Sequence, residues 1–275
     1  LYPLGDEALV FLDHSGTDTE IWRSDGTEAG TALALAAAHG VQRRPLAPLG
    51  NGLLLRTGDS EGLGLAFFDA GQNTSRDLHG FPWGTYLGEY VAVAGVSAYL
   101  ATHNPDEIWR TDGTAEGTLR LMSLPAEHAV ESSFFDWHGR ALFAIYFWQT
   151  GLQLWTSDGS VAGTLELRNF PSAWYGLSDF GLIDSRALFA LQTQDPDTGS
   201  YVSELWETDG TVTGTRLLGL LQRDGQAAYV DHFLTSGAGL FFETRDEDSA
   251  ATLWWTSGTL DGTRVLWTNP ARPDG

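Results

Sequence analysis

Ile108-Trp109-Arg110-Thr111-Asp112-Gly113-Thr114-Ala115-Glu116-Gly117-Thr118 decides the fold, because it recurs. Further copies start at Ile21 (IWRSDGTEAGT), Leu154 (LWTSDGSVAGT), Leu205 (LWETDGTVTGT) and Leu253 (LWWTSGTLDGT). Their tryptophans, Trp22, Trp109, Trp155, Trp206 and Trp254, are 87, 46, 51 and 48 residues apart. The first gap is about twice the others, which places a decayed copy inside it. That copy is Ala66-Phe67-Phe68-Asp69-Ala70-Gly71-Gln72-Asn73-Thr74, with Phe67 in the tryptophan position. Six repeats of about 46 residues then account for all 275 residues, and a strand-rich period of that length is the signature of a β-propeller.

Each period contains four strand-like pieces. In the fourth repeat they run from Ser132 to Asp136, Ala141 to Ala144, Gln153 to Thr156 and Thr164 to Leu167. Short β-rich runs between Gly/Asp/Asn turns predict antiparallel hairpins, and no segment keeps a helical period over three turns. The expectation is an all-β chain: one six-bladed β-propeller domain over 1–275, built of four-stranded antiparallel blades. The blades are expected at 1–40, 41–83, 84–126, 127–172, 173–222 and 223–275. The chain opens in what reads as the first strand of blade one, Leu1 to Leu4. It closes soon after the last strand of blade six, Arg264 to Trp267, so no strand exchange between the ends is expected.

The repeated residues read as structural. Asp25, Asp112, Asp158 and Asp209 accept hydrogen bonds from the amides of their own turn, and the following glycine supplies positive φ. The tryptophan of the third strand is expected to pack between neighbouring blades, where a large flat ring buries much area. The functional alternative is a calcium ion at each Asp, but one carboxylate per turn is too few for one. The pattern resembles the bacterial ELWxxDGT repeat family and, more loosely, the Asp-box turns of sialidase-like propellers. The resemblance covers all six repeats, although the second has lost the motif and the sixth has Ser257 in place of Asp. It implies a propeller and export, to the cell surface, the periplasm or the medium. It carries no catalytic residues with it.

Composition narrows the function. The formal net charge is −21 and cysteine is absent. The first repels nucleic acid and anionic lipid; the second removes disulfides, thiolate metal sites and cysteine nucleophiles. All 15 basic residues are arginine. Apolar runs such as Ala32 to Ala38 fall far short of a membrane span. No signal segment is visible, since Leu1 begins in a strand-like stretch; a mature chain and a trimmed one would look the same.

A ligand site is expected in the loops that do not repeat. In a propeller the blade-joining loops share one face with those between second and third strands, and the Asp-Gly turns lie opposite. The blade-joining loops carry His39 with Arg43 and Arg44; His79 with Pro82, Trp83 and Tyr86; His128 with Glu127 and Glu131; Trp174 and Tyr175; and Arg223 with Asp224. The other set carries His14 with Asp13 and Asp18; Asp59 and Glu61; His103 with Asp106 and Glu107; Phe147, Trp148 and Gln149; Asp195 and Asp197; and Asp246, Glu247 and Asp248.

Three readings compete. In the first, Trp83, Trp148, Trp174 and Tyr175 stack on sugar rings or on a partner's side chains, while Arg44 and Arg223 hydrogen-bond the ligand. That is a recognition or scaffold module for a carbohydrate or protein partner, without cofactor or catalysis. In the second, His39, His79, His103 and His128 converge on a transition metal and leave a position open for chemistry. In the third, paired carboxylates hydrolyse a glycoside. With 36 acidic residues, such pairs arise by chance. A sialidase-type arginine cluster would need a third partner beside Arg44 and Arg223. No serine elbow, P-loop or dinucleotide glycine motif is present.

Overall fold

A computed structural model of the chain describes residues 1–4, 6–14, 18–58, 62–125, 128–130, 134–171, 173–175, 177–194, 201–223, 226–227, 229–245 and 251–269. Every regular element among them is a β-strand, so no helix is long and apolar enough to cross a membrane. Contacts divide the chain into two compact units, Leu1–Leu124 and Pro125–Gly275.

Unit one holds three four-stranded antiparallel sheets, each made from one contiguous stretch. Sheet 1 comprises Tyr2–Leu4, Glu7–His14, Asp18–Ser24 and Ala32–Leu35. Sheet 2 comprises Gln42–Leu49, Gly52–Gly58, Leu63–Asp69 and Thr74–Gly80. Sheet 3 comprises Tyr86–Ala94, Ser97–His103, Glu107–Thr111 and Leu119–Ser123.

Unit two holds three more. In sheet 4 the inner edge is split into His128–Val130 and Phe135–Trp137, both paired to Arg140–Phe147, followed by Gly151–Ser157 and Leu165–Phe170. Sheet 5 repeats the split, with Ala173–Tyr175 and Gly181–Ile183 on Arg186–Gln194, then Tyr201–Thr208 and Arg216–Leu220. Sheet 6 comprises Tyr229–Ser236, Gly239–Arg245, Ala251–Thr256 and Thr263–Thr268. A small hairpin, Gln222–Arg223 with Gln226–Ala227, precedes it.

The second strands of sheets 2 to 5 are covered on both faces over much of their length, which is why they read as unbroken apolar runs rather than as alternating ones. Leu53 to Leu55 and Ala141 to Ile145 are wholly buried. One core cluster joins sheets 1 and 2 and another joins sheets 2 and 3. In unit two, clusters join sheets 4 and 5 and sheets 5 and 6.

The repeated turns share one wiring. Asp112 Oδ1 accepts the Thr114 amide (3.0 Å) and hydroxyl (2.7 Å). Thr114 Oγ1 in turn accepts the Gly117 amide (2.9 Å), and Thr118 donates its hydroxyl to the Thr114 carbonyl (2.6 Å). Gly113 takes φ +85°, and a Cβ on Gly117 would lie 2.0 Å from the Asp112 carboxylate. Both glycines are therefore required, one by its backbone and one by the carboxylate seated on it. Partial burial pulls the Asp112 carboxyl up, but the Thr114 hydroxyl and amide, with Arg110, outweigh it and leave it below its ordinary value. The Thr27 hydroxyl and amide do the same for Asp25, and those of Ser160 for Asp158. In the decayed repeat a shorter turn is capped from Asp69, whose Oδ1 accepts the amides of Gly71 (2.9 Å) and Gln72 (3.1 Å).

The glutamate two residues before the tryptophan has a role that composition did not suggest. It lies on the same strand face and accepts the indole N–H: Glu20 from Trp22 (2.9 Å), Glu107 from Trp109 (2.9 Å) and Glu204 from Trp206 (2.8 Å). Gln153 does this for Trp155 (3.2 Å), and Trp254 turns instead to the Thr244 hydroxyl (2.9 Å). The ring can thus be buried without leaving its one donor unpaired. Trp109 packs across onto His79 and Phe81 of sheet 2, and Trp206 onto Phe170 of sheet 4. Within each unit, arginines add straps from one sheet to a turn of the next. Arg23 donates to the Ala70 carbonyl (2.9 Å), Arg76 to Gly113 (2.8 Å) and Arg186 to Gly258 (3.1 Å).

Candidate functional site

In an antiparallel sheet, alternate connections emerge at the same end. The loops between second and third strands therefore open at the same end as those leading to the next sheet, and the Asp-Gly turns at the other. In unit one that loop end holds a cleft of about 840 Å³ between sheets 1 and 2. Its apolar walls include Leu35, Val41, Leu63 and Phe81, and its polar groups are Arg43, Thr57, Ser75, Asp77 and His79. Glycines 58, 62, 64 and 80 form much of the rim. A Cβ on Gly64 would meet Thr57 Oγ1 at 2.5 Å, so glycine there keeps the Thr57 hydroxyl accessible.

Arg43 is anchored from behind. Its amide donates to Thr19 Oγ1 (3.0 Å) and its Nη1 to the Thr19 carbonyl (3.0 Å). The Thr19 hydroxyl in turn donates a hydrogen bond to Asp13 Oδ1 (2.7 Å). Burial pulls the Arg43 pKa below its ordinary value, and the charge of Asp77 offsets this only in part. The side chains of Thr57, Ser75 and Asp77 have no hydrogen-bond partner among the described residues, so their capacity is unspent. His79 sits on the Trp109 ring at 4.4 Å and edge-on to Phe81 at 4.8 Å. Burial pushes its pKa down, and the Glu107 charge offsets this only in part.

Of the residues singled out from sequence, His79 lines this cleft, and Trp83 stands beside it. The Trp83 Cα lies 3.9 Å from the Cβ position of the rim residue Gly62, and Trp83 is 82% exposed. Arg44 points to Asp13 at 3.9 Å rather than lining the cleft. His39 is almost fully exposed, with Nδ1 3.5 Å from Asp18. His103 pairs with Asp106 at 3.0 Å and lies against the Tyr86 ring. In unit two, Trp148 is 64% exposed and meets Tyr146 edge-on. His128, Trp174, Tyr175 and Arg223 lie on described strands, but their side chains are outside what the structure describes. Asp59, Glu61, Glu127, Glu131, Asp195, Asp197, Asp224, Asp246, Glu247 and Asp248 lie outside the described residues altogether. Among the described residues, no three His, Asp or Glu side chains group closely enough to hold a metal ion.

Sequence reasoning passed over Arg43 in favour of its neighbour Arg44, and missed Thr57, Ser75 and Asp77. The signal lay in register. Asp77 pairs with Ala66 just past the bulge, as Arg120 pairs with Trp109, so a small residue stands where other repeats have the tryptophan.

No protein-family model matches the chain, and no curated protein does. Among solved structures, a prolyl endopeptidase superposes over 97% of this chain at 12% identity, with a TM-score of 0.53. A puromycin hydrolase covers 90% at 14% identity, with a TM-score of 0.46. The chain spans 41% and 40% of those two chains respectively. The fold is a six-bladed β-propeller. At such identity the likeness extends to the fold alone, with each sheet described above as one blade.

Proposed function

We propose that this propeller is a recognition module for a carbohydrate or protein partner, and that the cleft between blades one and two takes a carbohydrate. The observation that carries the reading is the combination at the cleft. Unspent hydroxyl and carboxylate groups of Thr57, Ser75 and Asp77 lie beside an anchored guanidinium on Arg43. Apolar walls and the exposed ring of Trp83 adjoin them. Sugars present hydroxyls to such groups and a C–H face to an aromatic ring.

A glycan array, followed by calorimetry with the best ligand, tests this. Asp77→Ala and Trp83→Ala should each weaken binding about tenfold or more, roughly 1.4 kcal/mol, with the melting temperature unchanged. Silence across the array overturns the carbohydrate assignment and leaves the protein partner. Collapse of the melting temperature in Trp83→Ala would place that ring in the packing instead of the site.

A further inference from the structure

Unit two has a groove of about 330 Å³ between blades four and five, at the place that matches the cleft of unit one. Both open at the loop end, and both are lined from the outer strand of one blade and the second and third strands of the next. Their chemistry differs at matching positions. Leu35, opposite Ile21, has Arg168, opposite Leu154, as its counterpart. Gly64, opposite Gly80, has Glu204, opposite Leu220, as its counterpart. A charge pair therefore replaces a leucine and a glycine, and Phe170, Trp206, Val202 and Leu220 supply the apolar lining.

Both charges are held and neither is used up. The Arg168 guanidinium stacks over the Trp206 ring at 4.6 Å, and its Nη1 donates to the Thr215 carbonyl at 3.3 Å. Its remaining N–H groups have no partner among the described residues. Glu204 accepts the Trp206 indole through Oε2, and its second oxygen has no partner among them either. Trp206 itself is fixed edge-on against Phe170 at 5.0 Å. The walls are thus preorganised, which lowers the entropic cost of binding.

We propose that this groove binds a small zwitterion with an apolar body, an apolar α-amino acid or the corresponding short peptide. The ligand carboxylate pairs with Arg168, its ammonium with the second oxygen of Glu204, and its side chain lies on Phe170 and Leu220. A net anion would be repelled by a protein of charge −21, and a ligand with only a cationic group would leave Arg168 unpaired. A zwitterion escapes both penalties, and the volume lies at the small end of ligand pockets.

Calorimetry with phenylalanine, N-acetylphenylalanine and phenylalaninamide tests the assignment. A shift of the Trp206 indole N–H resonance reports the location. Free phenylalanine is expected to bind and to move that resonance, and each blocked form to bind about tenfold more weakly or less. Glu204→Gln and Arg168→Leu should each reproduce the loss. Both keep the blade intact, because Gln153 already holds Trp155 and Leu35 already fills the matching place in blade one. Equal binding of the three compounds, binding without a Trp206 shift, no binding at millimolar concentration, or wild-type affinity in both variants would each overturn the proposal.

Discussion

Asp112 and Ser257 occupy the same position in their turns and do unequal work. Asp112 caps both an amide and a hydroxyl, while Ser257 reaches only the Thr259 hydroxyl, at 3.2 Å. Ser257→Asp should therefore stabilise the protein by about 0.5–1.5 kcal/mol, seen as a higher melting temperature. A lower one would mean that the carboxylate does not fit over Gly262. His79 makes a prediction in pH. Burial lowers its folded pKa below that of the unfolded chain, so the unfolded state binds the proton more readily. The stability it contributes is present above the unfolded value of about 6.5 and is lost as pH falls through the folded one. His79→Phe should flatten the decline in melting temperature between neutral and mildly acid pH. An unchanged slope would show that other groups govern it.

At the scale of the blade, Trp109 and Trp206 each work as a unit with a glutamate and with the sheet before them. Trp206→Ala should cost about 3–5 kcal/mol, because the buried ring fills the interval between blades four and five. Calorimetric or denaturant unfolding measures it, and a cost under about 1 kcal/mol would deny that packing. The decayed repeat gives the opposite test. Spacing puts Phe67 in the tryptophan place and makes Phe67→Trp look like a repair, but the bulge register gives that place to Ala66 and sets Phe67 level with Arg110. The Phe67 ring lies about 3.0 Å from where a Cβ on Gly113 would stand, and Arg76 covers it at 4.5 Å. A larger ring has no room, and Phe67→Trp should destabilise by about 1–3 kcal/mol through overpacking. Stabilisation would show that the blade can spread. Blade two has replaced its motif with a repacked solution of its own.

For the molecule as a whole, charge is the largest influence beyond packing. Acidic residues outnumber arginines 36 to 15. The arginines are largely spent on carboxylates and turn carbonyls, as Arg186 and Arg216 are on the buried Glu207. Raising salt from about 0.01 M to about 1 M shortens the screening length from about 30 Å to about 3 Å. Self-repulsion among exposed carboxylates should fade, and the melting temperature should rise. A fall would mean that the arginine pairs outweigh the repulsion.

The repeat alone determined the all-β class, the six blades and their turns, because Asp-Gly chemistry and strand alternation act within a few residues and leave a local trace. It also led to the expectation that the signature is structural and that a site lies in the loops that do not repeat. Only the tertiary structure decided which residues share a cleft, and the polar ones are on strands. Arg43 rather than Arg44, and Asp77, Thr57 and Ser75 beside His79, are selected by strand register, by a bulge between Leu65 and Ala66, and by the spacing of adjacent blades. The charge pair of Arg168 and Glu204 became visible in the same way. Those two residues are 36 positions apart, and they line one groove because two sheets pack face to face.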